Sequence, residues 1–382
     1  MSNLKHPCNN ISKLKKCYRC SVCGGLCPVK IIDITNSNGF IEPKISHQDQ
    51  CINCGLCLKV CSFNSVDPIE YNTPIGAYST VSTNPTTVAT CTSGGTVYEL
   101  LKHGINNGYK AIVVRFNFDT QRPEHYIAHT IEELEESKGS KYLQSDISKI
   151  IPLLSRTEKY IVVGTPCQIA SLRRYLKFKK IENNFIFIDF FCHGVPSTKL
   201  WDRYISLKSK QIGNIKSVLF RAKDFGWHQS IRVKLIGTNG TTITKAPKKD
   251  IFFNYFLGDR CLSAACYDSC SFKQTNTASD IRIGDLWGTK YLKNETGITG
   301  VITFSTQGES FLKSAENIQI RSESTDTILS GQMKMNAKRS ASYPIAQLAI
   351  RSQILFIALT PLCDLIDFIY GLPKRIRNHY NF

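Results

Sequence analysis

Eight cysteines in two runs of one spacing carry the first chemical signal in this chain. The runs are Cys17-x-x-Cys20-x-x-Cys23-x-x-x-Cys27, closed by Pro28, and Cys51-x-x-Cys54-x-x-Cys57-x-x-x-Cys61, closed by Ser62. Three thiolates at this pitch hold three corners of one iron–sulfur cubane, and the fourth cysteine of each run crosses to the other cluster. The spacing therefore assigns Cys17, Cys20, Cys23 and Cys61 to one 4Fe–4S cluster, and Cys51, Cys54, Cys57 and Cys27 to a second. Zinc takes four ligands, usually as two separated pairs, and does not account for eight in two tight runs. Half-cystines three residues apart are poorly placed to pair with one another, and nothing else in the chain reads as secreted. Ser62 stands where proline follows the fourth cysteine of the first run; the change removes no ligand.

The rest of the composition sets the frame for these clusters. A chain of 382 residues is long enough for two domains, or for one large domain with an insertion, and its 42% hydrophobic content supports a packed core rather than a disordered scaffold. The formal charge is +18, and each cluster with its thiolates subtracts about 2, so the loaded chain stays basic. Acidic redox carriers, a phosphate-bearing cofactor and an anionic membrane surface would all be attracted. Nucleic acid would be too, but no nucleic-acid-binding motif is present and it is not expected as a partner. Sixteen cysteines, half of them in metal-type spacing, point to a reducing compartment. Residues 1–16 are polar and basic, without the apolar centre of a signal peptide, and Cys8 falls outside the spacing. No stretch of about 20 apolar residues is read, so no spanning helix is expected and a cytoplasmic location is.

The fold class expected is α+β, a ferredoxin-like two-cluster module attached to an α/β domain with a partly parallel sheet. Residues 1–70 are the module, with short strands at 31–34 and 39–43, and Asp67-Pro68 and Thr73-Pro74 punctuate a linker. In the body, 71–325, Thr92-Ser93-Gly94-Gly95 leads into a helix at 97–105; such a turn suits an anion, although a plain cap is the commoner role. A strand at 111–118, an acidic helix at 131–137, the turn Gly139-Ser140-Lys141-Tyr142 and a helix at 147–154 follow. Strand–turn–helix then occurs twice: 160–163 into Gly164-Thr165-Pro166-Cys167 and a helix at 169–176, and 185–191 into Cys192-His193-Gly194-Val195-Pro196 and a helix at 197–207. That is the signature of a parallel sheet, whose strand carboxyl ends form the ligand crevice. Either Cys167 or Cys192 alone would read as a small core residue; two in equivalent positions read as functional. Strands at 218–221 and 231–236, a turn at 238–241 and a helix at 251–257 lead to a loop bearing Cys261, Cys266 and Cys270. A strand over 279–288, a last strand at 301–304 and a helix at 309–315 close the body. The tail, 326–382, is apolar and helix-like over 345–372, interrupted by Pro361, and ends in Lys374-Arg375-Ile376-Arg377. It reads either as a helix packed on the body or on another subunit of an oligomer, or as a peripheral membrane contact, against which Asp364 and Asp367 count.

Five pieces taken in order resemble the coenzyme F420 hydrogenase/dehydrogenase beta-subunit family, over roughly residues 15–320. They are Thr92-Ser93-Gly94-Gly95, Gly139-Ser140-Lys141-Tyr142-Leu143-Gln144-Ser145, Gly164-Thr165-Pro166-Cys167-Gln168, Phe191-Cys192-His193-Gly194-Val195-Pro196-Ser197, and the segment 279–288 with Gly284-Asp285-Leu286-Trp287-Gly288. The resemblance implies FAD, a 4Fe–4S cluster in the main domain, and electron exchange between clusters and a hydride acceptor. In methanogens that acceptor is the deazaflavin F420; plant and cyanobacterial relatives reduce chlorophyll intermediates. By position it makes Ser93, Gly94, Gly95, Ser140, Lys141, Tyr142, Gly164 and Thr165 candidate flavin contacts. Cys167, Cys192, Cys266 and Cys270 become candidate ligands of a third cluster. Cys266 and Cys270 enclose three residues where the family more often has two, so Cys261 stands as an alternative ligand. Lys141, His193 and Asp285 are the polar residues set near flavin or substrate, His193 as a group able to give or take a proton; a structural role for each is equally open.

The reading is a cytoplasmic FAD-dependent iron–sulfur oxidoreductase exchanging electrons with an organic hydride acceptor, F420-like or another small molecule. Two competitors remain. One is an electron-transfer subunit without a substrate of its own, wiring a redox partner protein; the other is a structural or regulatory iron–sulfur protein with no flavin.

Overall fold

The computed structural model describes residues 9–14, 16–64, 69–245 and 249–380, with side chains as far as residue 371. Cys8 and the Asp67-Pro68 pair lie outside the described residues, as do the side chains of Lys374, Arg375 and Arg377.

Between the two cysteine runs, β1 (Ile32–Ser37) and β2 (Phe40–Ile45) form an antiparallel hairpin. Its two turn residues, Asn38 and Gly39, both have positive φ, the conformation that matches the right-handed twist of the strands. The body carries β3 (Gly76–Ser82), β4 (Tyr109–Asn117), β5 (Arg122–Ala128), β6 (Lys159–Gly164), β7 (Phe185–Phe190), β8 (Ile215–Leu219), β9 (Lys234–Gly237), β10 (Thr242–Thr244), β11 (Ile281–Asp285), β12 (Thr299–Thr303) and β13 (Ile318–Ser322). Eight of these form one sheet in the order β13-β3-β12-β11-β7-β6-β4-β5. Its centre, β4, β6, β7 and β11, is parallel, and antiparallel strands flank it on both sides. The centre is apolar on both faces, as a covered parallel sheet requires: β7 is buried from Phe185 to Asp189. β8, β9 and β10 make a separate antiparallel sheet.

The mixed sheet fits the expected class, and several elements differ from expectation. β3, β5 and β13 were not foreseen, and 301–304 is not the last strand. β3 hides Ser79, Thr80 and Ser82 inside the protein, so it shows no apolar run to read. The stretch 147–154 is a turn followed by the 3-10 turn Ile151–Leu153, because Pro152 cannot extend an α-helix. Cys266 sits on a short helix, Ala264–Asp268, not on a loop. Nor does Pro361 interrupt the tail: one helix runs from Gln353 to Tyr380, with Pro361 on its exposed side where water can serve the carbonyl left without a partner. The expectation of no spanning-length segment is also corrected. Gln353–Gly371, 19 residues at mean hydropathy 1.8, is long and apolar enough to cross a membrane by length and composition.

The module and the body share one core. Val22, Leu26, Ile31, Ile32 and Val60 pack in the same apolar cluster as Ile112, Ile147, Ile169, Leu172 and Phe187. Polar ties close the seam. The Gln144 amide accepts from Ile41 N and donates to the carbonyls of Arg19 and Ile41, and Ile147 N donates to Ser21 Oγ.

Candidate metal centre

The local backbone of the cysteine runs explains how each wraps a cluster. Arg19 and Ser21 in the first run, and Asn53 and Gly55 in the second, occupy matching positions and all have positive φ. Only glycine takes this conformation without cost, so three side-chain-bearing residues hold strained turns that swing the chain around the thiols. The Arg19 N–H points at Cys17 Sγ, 3.1 Å away, and Asn10 Nδ2 at Cys51 Sγ, 3.3 Å away. Two cavities result. One is lined by Cys17, Cys20, Cys23 and Cys61, the other by Cys27, Cys51, Cys54 and Cys57, which are the two crossed sets that the spacing assigned.

Burial pushes the Cys17 thiol up to about 11 and the Cys20 thiol up to about 12, and the neighbouring thiols add to the effect. Such groups stay protonated unless a cation replaces their protons. Among the described residues, no three Cys, His, Asp or Glu donors are drawn together to hold a single metal ion. A cubane, several atoms across, keeps its thiolates wider apart than one ion does. The donor chemistry and the lined cavities fit 4Fe–4S clusters at both crossed sets.

The second gathering of thiols lies at the carboxyl edge of the sheet. Cys167 is in the first turn of helix Pro166–Phe178, entered from β6, and Cys192 follows β7. A short bridge brings Cys266 to them: Ser263 N donates to Val195 O, and Ser197 N to Cys261 O. Cys167 feels Cys192 and Cys270 as charged neighbours, and Cys192 feels Cys266 and Cys270. Burial holds Cys167 well above the usual thiol range and Cys192 at about 12. Cys261 lies apart. It is fully buried in an apolar cluster, and the charged groups it senses are Arg260 and Asp259. The structure thus groups Cys167, Cys192, Cys266 and Cys270, and this set too has the donor chemistry of a cubane.

A buried ion pair fixes this edge. Asp189 on β7 and Arg282 on β11 are register partners, both fully buried, and join through two hydrogen bonds of 2.7 and 2.8 Å. Thr277 Oγ1 donates to the same carboxylate, and Arg282 donates to the Gln274 carbonyl. The segment after Cys270 is thereby locked to the end of the strand before Cys192. Lys273 completes the lock by donating to the carbonyls of Cys192 and His193.

The two gatherings touch. Cys167 feels Cys20 of the first run more strongly than its own group partners. Ser171, one helical turn after Cys167, lies 3.5 Å from Cys20 Sγ, accepts from Ser62 N and donates to Ser62 Oγ, which donates to the Cys167 carbonyl. A proline at 62 would have no N–H to give, so the serine there is part of the seam.

The candidate flavin contacts divide. Ser140 N and Oγ both donate to Thr92 Oγ1, so the turns at 92–95 and 139–142 do meet. Gly94 and Gly95 are accounted for by packing. A Cβ on Gly94 would lie 2.7 Å from Thr80 O, one on Gly95 would lie 2.7 Å from Thr87, and Gly95 has φ +81°. Ser93 Oγ donates to Ile298 O. Gly164 and Thr165 stand apart at the cysteine group, with Thr165 Oγ1 3.3 Å from Cys167 Sγ.

The three polar candidates divide as well. Lys141 donates to the carbonyls of Glu136, Ser137 and Lys138, and burial pulls its ammonium down to about 7. Asp285 ends β11 and accepts from Arg221 at 2.8 Å and Trp227 Nε1 at 3.2 Å; Arg221 also donates to Tyr142 OH. The Trp227 and Trp287 rings stack at 4.5 Å beside them. His193 follows Cys192 in the chain, but its side chain turns to Asp259 and Phe256, with Nε2 2.8 Å from Asp259 Oδ1 and the ring edge-on to Phe256. The sequence reading missed Ser171, Arg221, Lys223, Lys273 and the Asp189–Arg282 pair. Ser171 alone had a signal, its place four residues after Cys167 on one helix face.

Comparisons with known proteins identify the family. Residues 77–152 match the N-terminal model, and residues 157–327 the C-terminal model, of the coenzyme F420 hydrogenase/dehydrogenase beta subunit; residues 16–65 match a 4Fe-4S dicluster domain. The two beta-subunit models together cover more than half of the chain, and the protein belongs to this family of iron–sulfur electron-transfer oxidoreductases. A chain of the F420-reducing NiFe hydrogenase complex from Methanosarcina barkeri is similar in fold, at 16% identity and a TM-score of 0.50, over 66% of this chain and 83% of that one. A comparison with curated proteins finds no match.

Proposed function

We propose that this protein is a cytoplasmic iron–sulfur flavoprotein oxidoreductase with three 4Fe–4S clusters and FAD, acting on an organic hydride acceptor. The observation that carries the reading is the contact between Cys20 and Cys167 through Ser171 and Ser62, which puts the first crossed set next to the cysteine group of the sheet edge. Clusters at these cysteines would supply single-electron transfer, and FAD would supply exchange of electron pairs with the acceptor. The chain's own part is to hold and to exclude water. Backbone and side-chain N–H groups face Cys17 and Cys51, and the Asp189–Arg282 pair fixes the edge.

Support for FAD is electrostatic. Lys223 donates to the carbonyls of Val88, Ser93 and Thr296, and Lys141 likewise bonds only to carbonyls. Neither ammonium has an ion-pair partner among the described residues. Burial lowers Lys223 to about 8 and Lys141 to about 7, so the positive charge beside the joined turns at Thr92 and Ser140 is carried chiefly by Lys223 and would be raised by a bound anion. That field favours the pyrophosphate of a dinucleotide. Ser140, Tyr142 and Lys223 are the residues we assign to it, in place of Gly94 and Gly95.

Protein purified without oxygen and then denatured should release about one FAD per chain along with iron and sulfide. Absence of FAD after reconstitution would defeat the flavoenzyme reading. A second reading is favoured by the likeness to a chain of a hydrogenase complex: an electron-transfer subunit working with partner subunits. It predicts bound FAD with reduction of artificial dyes alone.

A further inference from the structure

We propose that the C-terminal helix Gln353–Tyr380 lies flat on an anionic lipid bilayer, with its outward face as the contact. Two faces of this helix differ. The inward face is fixed to the body: Phe356 packs on Tyr255 with ring centroids 5.3 Å apart, and the Tyr255 hydroxyl meets Thr360 Oγ1 at 2.9 Å. Cys363 is fully buried. The outward face is apolar along its length. Ile354, Ile357, Leu362, Leu365, Phe368 and Ile369 are all exposed, Ile354 to 80%. A soluble monomer rarely leaves such a continuous stripe to water.

The two aspartates that counted against a membrane contact in the sequence do not count in the structure. Arg260, buried under the helix, binds Asp364 at 2.6 Å and Asp367 at 2.7 Å, and Asp367 also accepts from Ser342 N and Oγ. Both carboxylates are paired with Arg260; Asp367 is mostly covered, and Asp364, about half exposed, sits at the border of the apolar stripe. The same pairs decide how the helix meets lipid. Passing it through the bilayer would carry Asp364 and Asp367 into hydrocarbon without their Arg260 partner, so the helix stays on the body and presents one side.

Charge selects lipid over a protein partner. The backbone stays helical through Lys374-Arg375-Ile376-Arg377, Arg351 is exposed just before the helix, and the chain carries +18 overall. An apolar stripe followed in sequence by a basic cluster is the pattern that binds the acyl boundary and anionic head groups together.

The test is co-sedimentation of the full-length holoprotein with vesicles of phosphatidylglycerol and phosphatidylcholine, against phosphatidylcholine alone. Binding to the anionic vesicles, at least about tenfold above the neutral ones and reduced by salt, is expected. The triple variant Ile357→Gln, Leu365→Gln, Ile369→Gln should lose that binding, with iron content and dye reduction unchanged, since all three side chains face outward. Replacing Lys374, Arg375 and Arg377 with alanine should remove the preference for anionic lipid. The proposal is overturned if the wild type stays in the supernatant. A concentration-dependent dimer that the triple variant abolishes, without vesicle binding, would instead assign the face to a second copy of the chain.

Discussion

The first crossed set and the sheet-edge group each bring four thiols together, but over very different lengths of chain. Cys17, Cys20 and Cys23 sit within seven consecutive residues, and the turns between them do the positioning. Cys167, Cys192, Cys266 and Cys270 span more than a hundred residues and depend on β6, β7, β11 and one buried ion pair. A local site needs little beyond its own backbone and a cation; a dispersed one is only as stable as the sheet beneath it. Five substitutions probe that difference.

The largest effect is expected from Arg282→Met. Removing one partner of the fully buried Asp189 pair should cost about 3–5 kcal/mol and release the segment after Cys270. Thermal unfolding and iron analysis should show the dispersed cluster lost while the two local clusters reconstitute. Equal loss at all three would mean that the local sets also depend on the sheet.

Next comes Cys192→Ala. Iron should fall from about 12 to about 8 per chain, with the spectra of the other clusters kept. Cys27→Ala should instead damage the cluster of Cys51, Cys54 and Cys57. A spectrum in which only the cluster of Cys17, Cys20 and Cys23 changes would refute the crossing.

His125 on β5 gives a smaller effect confined to the body. It is buried, and burial pulls its imidazole down to about 4. The unfolded chain, at about 6.5, binds the proton more readily, so stability is complete above about pH 6.5 and declines as pH falls toward 4, by roughly 1–3 kcal/mol. In His125→Phe, denaturant midpoints should lose that slope; an unchanged slope would place the acid sensitivity elsewhere.

Smallest is Ser171→Ala at the seam. When Cys20 is a thiolate, the Ser171 hydroxyl can turn its proton onto the sulfur from 3.5 Å. Its loss should lower the potential of the first crossed cluster by on the order of 20–60 mV, equivalent to one hydrogen bond. A potentiometric titration that finds no shift would remove Ser171 from the contact.

Both cysteine runs and their crossing were legible because their ligands are contiguous and the spacing alone restricts the chemistry. The parallel centre of the sheet was legible too, since strands covered on both faces read as unbroken apolar runs, as at Phe185–Phe190. The edge strand β13 and its neighbour β3 were not, because their side chains are as often polar as apolar.

By itself the sequence determined which residues carry thiols, how many, and the family they belong to. Tertiary structure alone decided that Cys266 and Cys270, rather than Cys261, face Cys167 and Cys192, since a bridge from 195 to 263 turns the chain there. It also decided that Gly94 lies against Thr80 and Gly95 against Thr87, and that Asp364 and Asp367 pair with Arg260, which stands more than a hundred residues away in sequence and 2.6–2.7 Å away in space. Spacing encodes what the backbone can place within a few bonds; a partner brought by the fold leaves no mark on the segment it meets.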